Sequence, residues 1–184
     1  MADERDPDDE LGALGRWAAE QRVVQAVGER RRTAWLGRQT EDATLAGLFV
    51  AVAEQRRPVV VELADGRRHR GIPTVVGRDV AGLRTGTDRV VLVALHAIRS
   101  VRVTDEVGDV PPIGPGPHTD LAGELARRAE ERPRVGLATV GAPGSLAGTL
   151  LAAGPHLVTV RLDGGDVAYV PLAALADVSL PESG

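Results

Sequence analysis

Apolar residues along this chain form two helical stripes, each followed by a train of short alternating segments. Leu45, Leu48, Phe49 and Val52 fall at i, i+3, i+4 and i+7, the spacing of a helix that buries one face. Thr40 is its expected N-cap, with Glu41 and Asp42 placed favourably against the helix dipole, and Pro58 stops it. Alternation then predicts strands at Val59–Leu63, Arg68–Val76, Val80–Thr85, Arg89–Leu95 and Ile98–Val103. Asp65-Gly66 supplies a hairpin turn, Gly71 predicts a bend or bulge inside the second strand, and His96-Ala97 makes a tight corner. A second stripe, Leu121, Leu125 and Ala129, starts after the expected cap Thr119. The strands predicted behind it are Val135–Val140, Ser145–Ala152, Leu157–Leu162, Asp166–Pro171 and Leu175–Leu180.

The two trains are copies of one another. Leu45-Ala46-Gly47 and Ala53-Glu54-Gln55-Arg56 recur as Leu121-Ala122-Gly123 and Ala129-Glu130-Glu131-Arg132. After one inserted residue at the first hairpin, Gly71 matches Gly148, Gly77 matches Gly154 and Arg84 matches Arg161. Val90, Val93 and Val101 match Val167, Val170 and Val178 in the same register. Matched glycines and an arginine in one constant register are the signature of an internal repeat.

These elements divide the chain into an acidic, disordered tail at 1–9, a helical segment at 10–39, repeat 1 at 40–104, a linker at 105–118 and repeat 2 at 119–180. Leu11, Leu14, Trp17, Val24 and Val27 keep helical spacing in the second of these segments. The Val110-Pro111-Pro112-Ile113-Gly114-Pro115-Gly116-Pro117 stretch gives the linker its extended character. The expected fold is mainly β with helices, in the α+β class. It consists of two tandem small five-stranded barrels, each preceded by a helix, plus an N-terminal helix.

Composition narrows the chemistry. All 22 basic residues are arginine, and the chain holds no lysine, asparagine or cysteine; an Arg, Ala, Gly and Val bias of this kind fits a GC-rich genome. Lysine-dependent phosphate binding, Schiff bases, thiol chemistry and disulfides are thereby excluded. No apolar run reaches membrane-spanning length, and Met1 to Glu10 lacks the apolar core of a secretory signal, so the expectation is a cytoplasmic protein without membrane contact. The net charge of -4 is an average: Glu29 to Thr104 sets 14 arginines against 8 acids, whereas Asp105 to Gly184 sets 5 against 11.

A helix, then Val-x-Val-x-Leu-x-Asp-Gly (Val59 to Gly66), a bent strand with an inner glycine, and Gly77-Arg78-Asp79 before strand three together resemble the Sm-like (Hfq/Sm-type) fold. Val93-Ala94-Leu95-His96-Ala97-Ile98-Arg99-Ser100-Val101 resembles its fourth strand, corner and fifth strand. The chain also resembles uncharacterised proteins of high-GC Gram-positive bacteria. The resemblance covers 40–103 well and 119–180 less closely, and SH3-like barrels share parts of the pattern. It implies pairing of strand four of one barrel with strand five of the next, and RNA as a partner. Of the family's RNA pocket, Asp79 matches the aspartate position, the asparagine is missing, and no aromatic lies between Pro58 and Val103. Of the bacterial Lys-His motif, only His96 is present.

The candidate nucleic-acid-binding residues are Arg56, Arg57, Arg67, Arg68, His69 and Arg70. Guanidinium groups contact phosphate and stack on bases, but arginines at a strand edge also keep sheets from aggregating. Alternation sends Arg68 and Arg70 to one face and Arg67 and His69 to the other. Arg30-Arg31-Arg32 adds charge at the end of the N-terminal helix. His69, His96, His118 and His156 lack metal-ligand spacing, the serines lack a nucleophile-elbow frame, and Glu130-Glu131 reads as a solvated face. No enzyme, metal or cofactor is expected. Two functions stand: RNA binding through repeat 1, or self-association and protein contact through strand edges.

Overall fold

The computed structural model describes residues 44–86, 89–104 and 119–181. The expected N-terminal helix, the acidic tail and the linker lie outside the described residues. The described chain holds two helices and ten strands. Helix α1 (Leu45–Glu54) precedes β1 (Val59–Leu63), β2 (Arg68–Val76), β3 (Val80–Thr85), β4 (Arg89–Ala94) and β5 (Ile98–Val103). Helix α2 (Leu121–Ala129) precedes β6 (Arg134–Thr139), β7 (Leu146–Ala153), β8 (Leu157–Leu162), β9 (Val167–Pro171) and β10 (Leu175–Pro181).

Both helices start later than the expected caps. Thr44 Oγ1 accepts from the Gly47 amide at 3.0 Å, and Asp120 Oδ1 accepts from the Gly123 amide at 2.8 Å. Each cap thus satisfies an amide that the first turn leaves without a helical partner. Phe49, Val52 and Ala53 bury the inner face of α1; Leu121, Leu125 and Ala129 do so for α2.

The two repeats are not separate closed barrels. All ten strands form one open antiparallel sheet in the order β5-β1-β2-β3-β4-β10-β6-β7-β8-β9. The three-residue 3-10 turn Leu95–Ala97 turns a corner rather than a hairpin, so β5 crosses to pair with β1 and leaves the outer edge of β4 to another partner. That partner is β10, with Asp177 opposite Val93, Val178 opposite Leu92, Ser179 opposite Val91 and Leu180 opposite Val90. The duplicated turn Leu172–Ala174 sends β10 back to β6 in the same way. Val90, Leu92, Val178 and Leu180 are all buried at this seam, and one hydrophobic cluster runs through both repeats.

The matched glycines explain the bend in each second strand. β2 pairs with β1 through Arg68–Gly71 and with β3 from Ile72 onward. At Gly71 a Cβ would lie 2.4 Å from the Arg84 carbonyl oxygen, and at Gly148 it would lie 2.1 Å from that of Arg161. Bulges follow at equivalent places, between Pro73 and Val75 and between Leu150 and Ala152. A methyl group at either glycine must push two strands apart. Gly71→Ala is therefore expected to lower unfolding free energy by about 1–3 kcal/mol. Gly164→Ala, in open space, should change it by no more than about 0.5 kcal/mol. Urea unfolding measures both.

Candidate functional site

The six candidate residues separate into three groups. Arg56 and Arg57 end α1 in a Schellman turn: the Arg56 amide donates to Ala53 O at 3.0 Å and the Arg57 amide to Val52 O at 3.1 Å. Arg56 takes φ 53°, as does its repeat partner Arg132 at 49°, a left-handed conformation that favours glycine. The Arg57 guanidinium donates from Nε (3.0 Å) and Nη2 (2.8 Å) to the Thr104 carbonyl, tying the end of α1 to the end of β5.

Arg67 and His69 turn inward. Arg67 Nη1 lies 2.8 Å and His69 Nε2 3.2 Å from Oδ2 of Asp177, a buried carboxylate on β10. The Arg67 side chain also grips Asp65, donating from Nε to Oδ2 at 2.8 Å, and the guanidinium holds the Asp65 carboxyl below its ordinary range. Part of the basic hairpin is thus consumed in joining the repeats.

Arg68 and Arg70 point outward, and the fold adds arginines that sequence reasoning did not collect. Strand register aligns Arg70, Val60 and Arg102 in one row across β2, β1 and β5, and Arg68, Glu62 and Ser100 in the next. Arg68 meets Glu62 at 3.2 Å, and Arg99 stands 4.0 Å from the same carboxylate. The Arg68 and Arg99 side chains remain 61% and 64% exposed. Strand five carries its arginines thirty residues from the hairpin, so only the β1–β5 pairing could reveal the row.

Asp79 and its neighbour Arg78 serve a contact within the fold. Asp79 accepts from the Leu121 amide at 2.8 Å, while the Arg78 amide donates to Thr119 O at 2.9 Å. The β2–β3 turn of repeat 1 therefore holds the start of α2. His96 and His156 are exposed, in the 3-10 turn and the β7–β8 turn; His118 lies outside the described residues. Among the described residues no three His, Asp or Glu side chains converge as a metal site, and no helix is long and apolar enough to cross a membrane.

One buried ion pair escaped the sequence reading. Glu124 Oε1 accepts from Arg128 Nε and Arg127 Nη2, both at 2.8 Å, and Glu124 and Arg128 are buried. Their counterparts in α1 are Leu48 and Val52, so the pair takes the place of an apolar contact. Burial pushes the Glu124 carboxyl up, but the hydrogen bonds and charges of Arg127 and Arg128 outweigh it and hold it below its ordinary value. A scan against protein-family models and a search of curated proteins both found no match to the chain.

Three outcomes follow for stability. Glu124→Leu should cost about 3–5 kcal/mol by taking the carboxylate from buried Arg128, and adding Arg128→Val should restore most of it. A depressed folded-state pKa stabilises the fold above the unfolded value, so Glu124's share should be lost as pH falls below roughly 4; the double variant lacks that part of the acid sensitivity. Arg56→Gly should stabilise the protein by about 1 kcal/mol, since it relieves a left-handed arginine. Denaturant titrations at pH 7 and pH 3.5 read all three.

Proposed function

We propose that the chain is a non-catalytic, Sm-like assembly module that joins copies of itself edge to edge. Each repeat has its strands in the order five-one-two-three-four, with a bent second strand and a corner before the fifth, which supports the Sm-like reading.

The observation that carries the proposal is a difference in burial between matching strands. In β4, covered by β10, every residue from Val90 to Ala94 is buried. In β9, its duplicate, only Val170 is buried, and Val167 and Tyr169 are 43% and 70% exposed. Leu157, the counterpart of fully buried Val80, is also exposed. Among the described residues β9 pairs only with β8, and β5 pairs only with β1. The two outer edges are thus one fourth strand and one fifth strand, the combination already joined in the β4–β10 seam.

Carrying that seam's register across the repeat sets Ser100 opposite Val170, Val101 opposite Tyr169, Arg102 opposite Ala168 and Val103 opposite Val167 of another copy. Arg102, opposite Ala168, would stand two residues from the exposed Asp166 beside β9, so charge complements the backbone pairing.

A second reading draws on the arginine row. Arg68, Arg70, Arg99 and Arg102 share the β2–β1–β5 region with Glu62 as the acid among them, a pattern suited to the phosphates of RNA.

Size-exclusion chromatography with light scattering tests the assembly. The expected mass is a multiple of 19.3 kDa, reduced to that of the single chain by Tyr169→Lys, which puts a charge on the pairing edge; a strict monomer at all concentrations refutes it. For the RNA reading, replacing Arg68, Arg70 and Arg102 by serine should weaken binding and lower the salt slope by about 2–3. An unchanged slope removes it.

A further inference from the structure

The β4–β10 seam carries a charge cluster that the duplicated edges cannot reproduce. Asp177, on the fifth strand of repeat 2, is buried and receives Arg67 and His69 from the first hairpin of repeat 1. In the repeat correspondence Asp177 matches Ser100, Arg67 matches Gly144 and His69 matches Leu146. Repeat 1 therefore owns the cations without an acid on its own fifth strand. Repeat 2 owns the acid without cations at its own hairpin.

We infer that Asp177 is the specificity-determining residue of edge pairing, permitting repeats to join only in alternation. The inference rests on the assembly reading above. A fourth strand can meet a fifth strand in four ways. Repeat 1 with repeat 2 forms the observed cluster. Repeat 2 with repeat 1, β9 against β5, sets Ser100 near Gly144 and Leu146 and buries no charge. Repeat 1 with repeat 1 sets Arg67 and His69 against Ser100, so the cations lose their carboxylate. Repeat 2 with repeat 2 buries Asp177 against Leu146 and Gly144, a carboxylate with no cation, which is the most heavily penalised of the four. Backbone hydrogen bonds are alike in every pairing, so the side chains at these three positions supply the charge difference that separates them, beside the docking of α2 on the Arg78–Asp79 turn.

Because the chain has no cysteine, engineered pairs report each arrangement as a disulfide-linked dimer on a non-reducing gel. Val101→Cys with Tyr169→Cys reports alternation, and Tyr169→Cys with Val178→Cys reports repeat 2 on repeat 2. With Asp177 intact, the second yield should be less than about a tenth of the first. Asp177→Ser should raise the second yield severalfold, while the first stays the larger because β10 remains paired with β4 of its own chain. Leu146→His, a surface change that supplies a cation while Asp177 stays, should raise the second yield as well and covers the case in which Asp177→Ser does not fold. Absence of the alternating dimer overturns the assembly reading and this inference with it. An alternating dimer accompanied by an equal repeat 2 on repeat 2 dimer, or a second yield that neither variant raises, overturns the inference alone.

Discussion

The hydrogen-bonded pairing of β4 with β10 is the constraint on which the rest of the described structure depends. A fourth strand that turns a corner into the fifth cannot close on it, so each repeat is left with two unsatisfied strand edges. Joining one edge from each repeat satisfies half of these groups at once. The same pairing buries Val90, Leu92, Val178 and Leu180 and merges two small cores into one cluster. Small β units hold little apolar surface relative to their conformational entropy, and a shared core improves that ratio for both. The docking of α2 on the Arg78–Asp79 turn adds a second tie between the copies.

Duplication followed by divergence accounts for the charge pattern better than a single basic binding face does. Arginines of the first hairpin divide between an inward pair held by Asp177 and an outward pair in the row with Arg102. In α2 an ion pair replaces the apolar contact of α1, and the cations of the first hairpin have no counterpart in the second. Repeat 1 and repeat 2 thus became complementary where identical copies would have been interchangeable. The excess of arginine in the first half and of acid in the second is visible in the sequence, and the seam gives part of it a physical role.

Much of the local structure was legible along the chain. Alternation located β1, β2, β3, β5 and β8 residue for residue and the other five strands to within one residue at either end. Gly71 announced the bend that its contact with Arg84 requires, and its repeat match Gly148 makes the same contact with Arg161. The helix caps were misplaced because Thr40 and Thr119 have the right side chains, whereas Thr44 and Asp120 stand three residues before the amides they bond. The closure was illegible for a deeper reason. Period-two patterning says which face of a strand is buried but not which strand lies beside it, so a barrel edge and a seam edge read alike. The site suffered the same way: Arg102 joins Arg70 only through pairing. Asp177 had one available signal, a lone acid in the apolar run Leu175 to Leu180 where repeat 1 has Ser100.

Amide hydrogen exchange across a range of protein concentrations tests the continuity of the sheet most directly, because it reads backbone pairing strand by strand. The account predicts that β4 and β10 are protected at every concentration, whereas protection of β9 and β5 rises together as concentration increases. Rapid exchange in β9 and β5 at all concentrations, or in β4 and β10 at any, would contradict it.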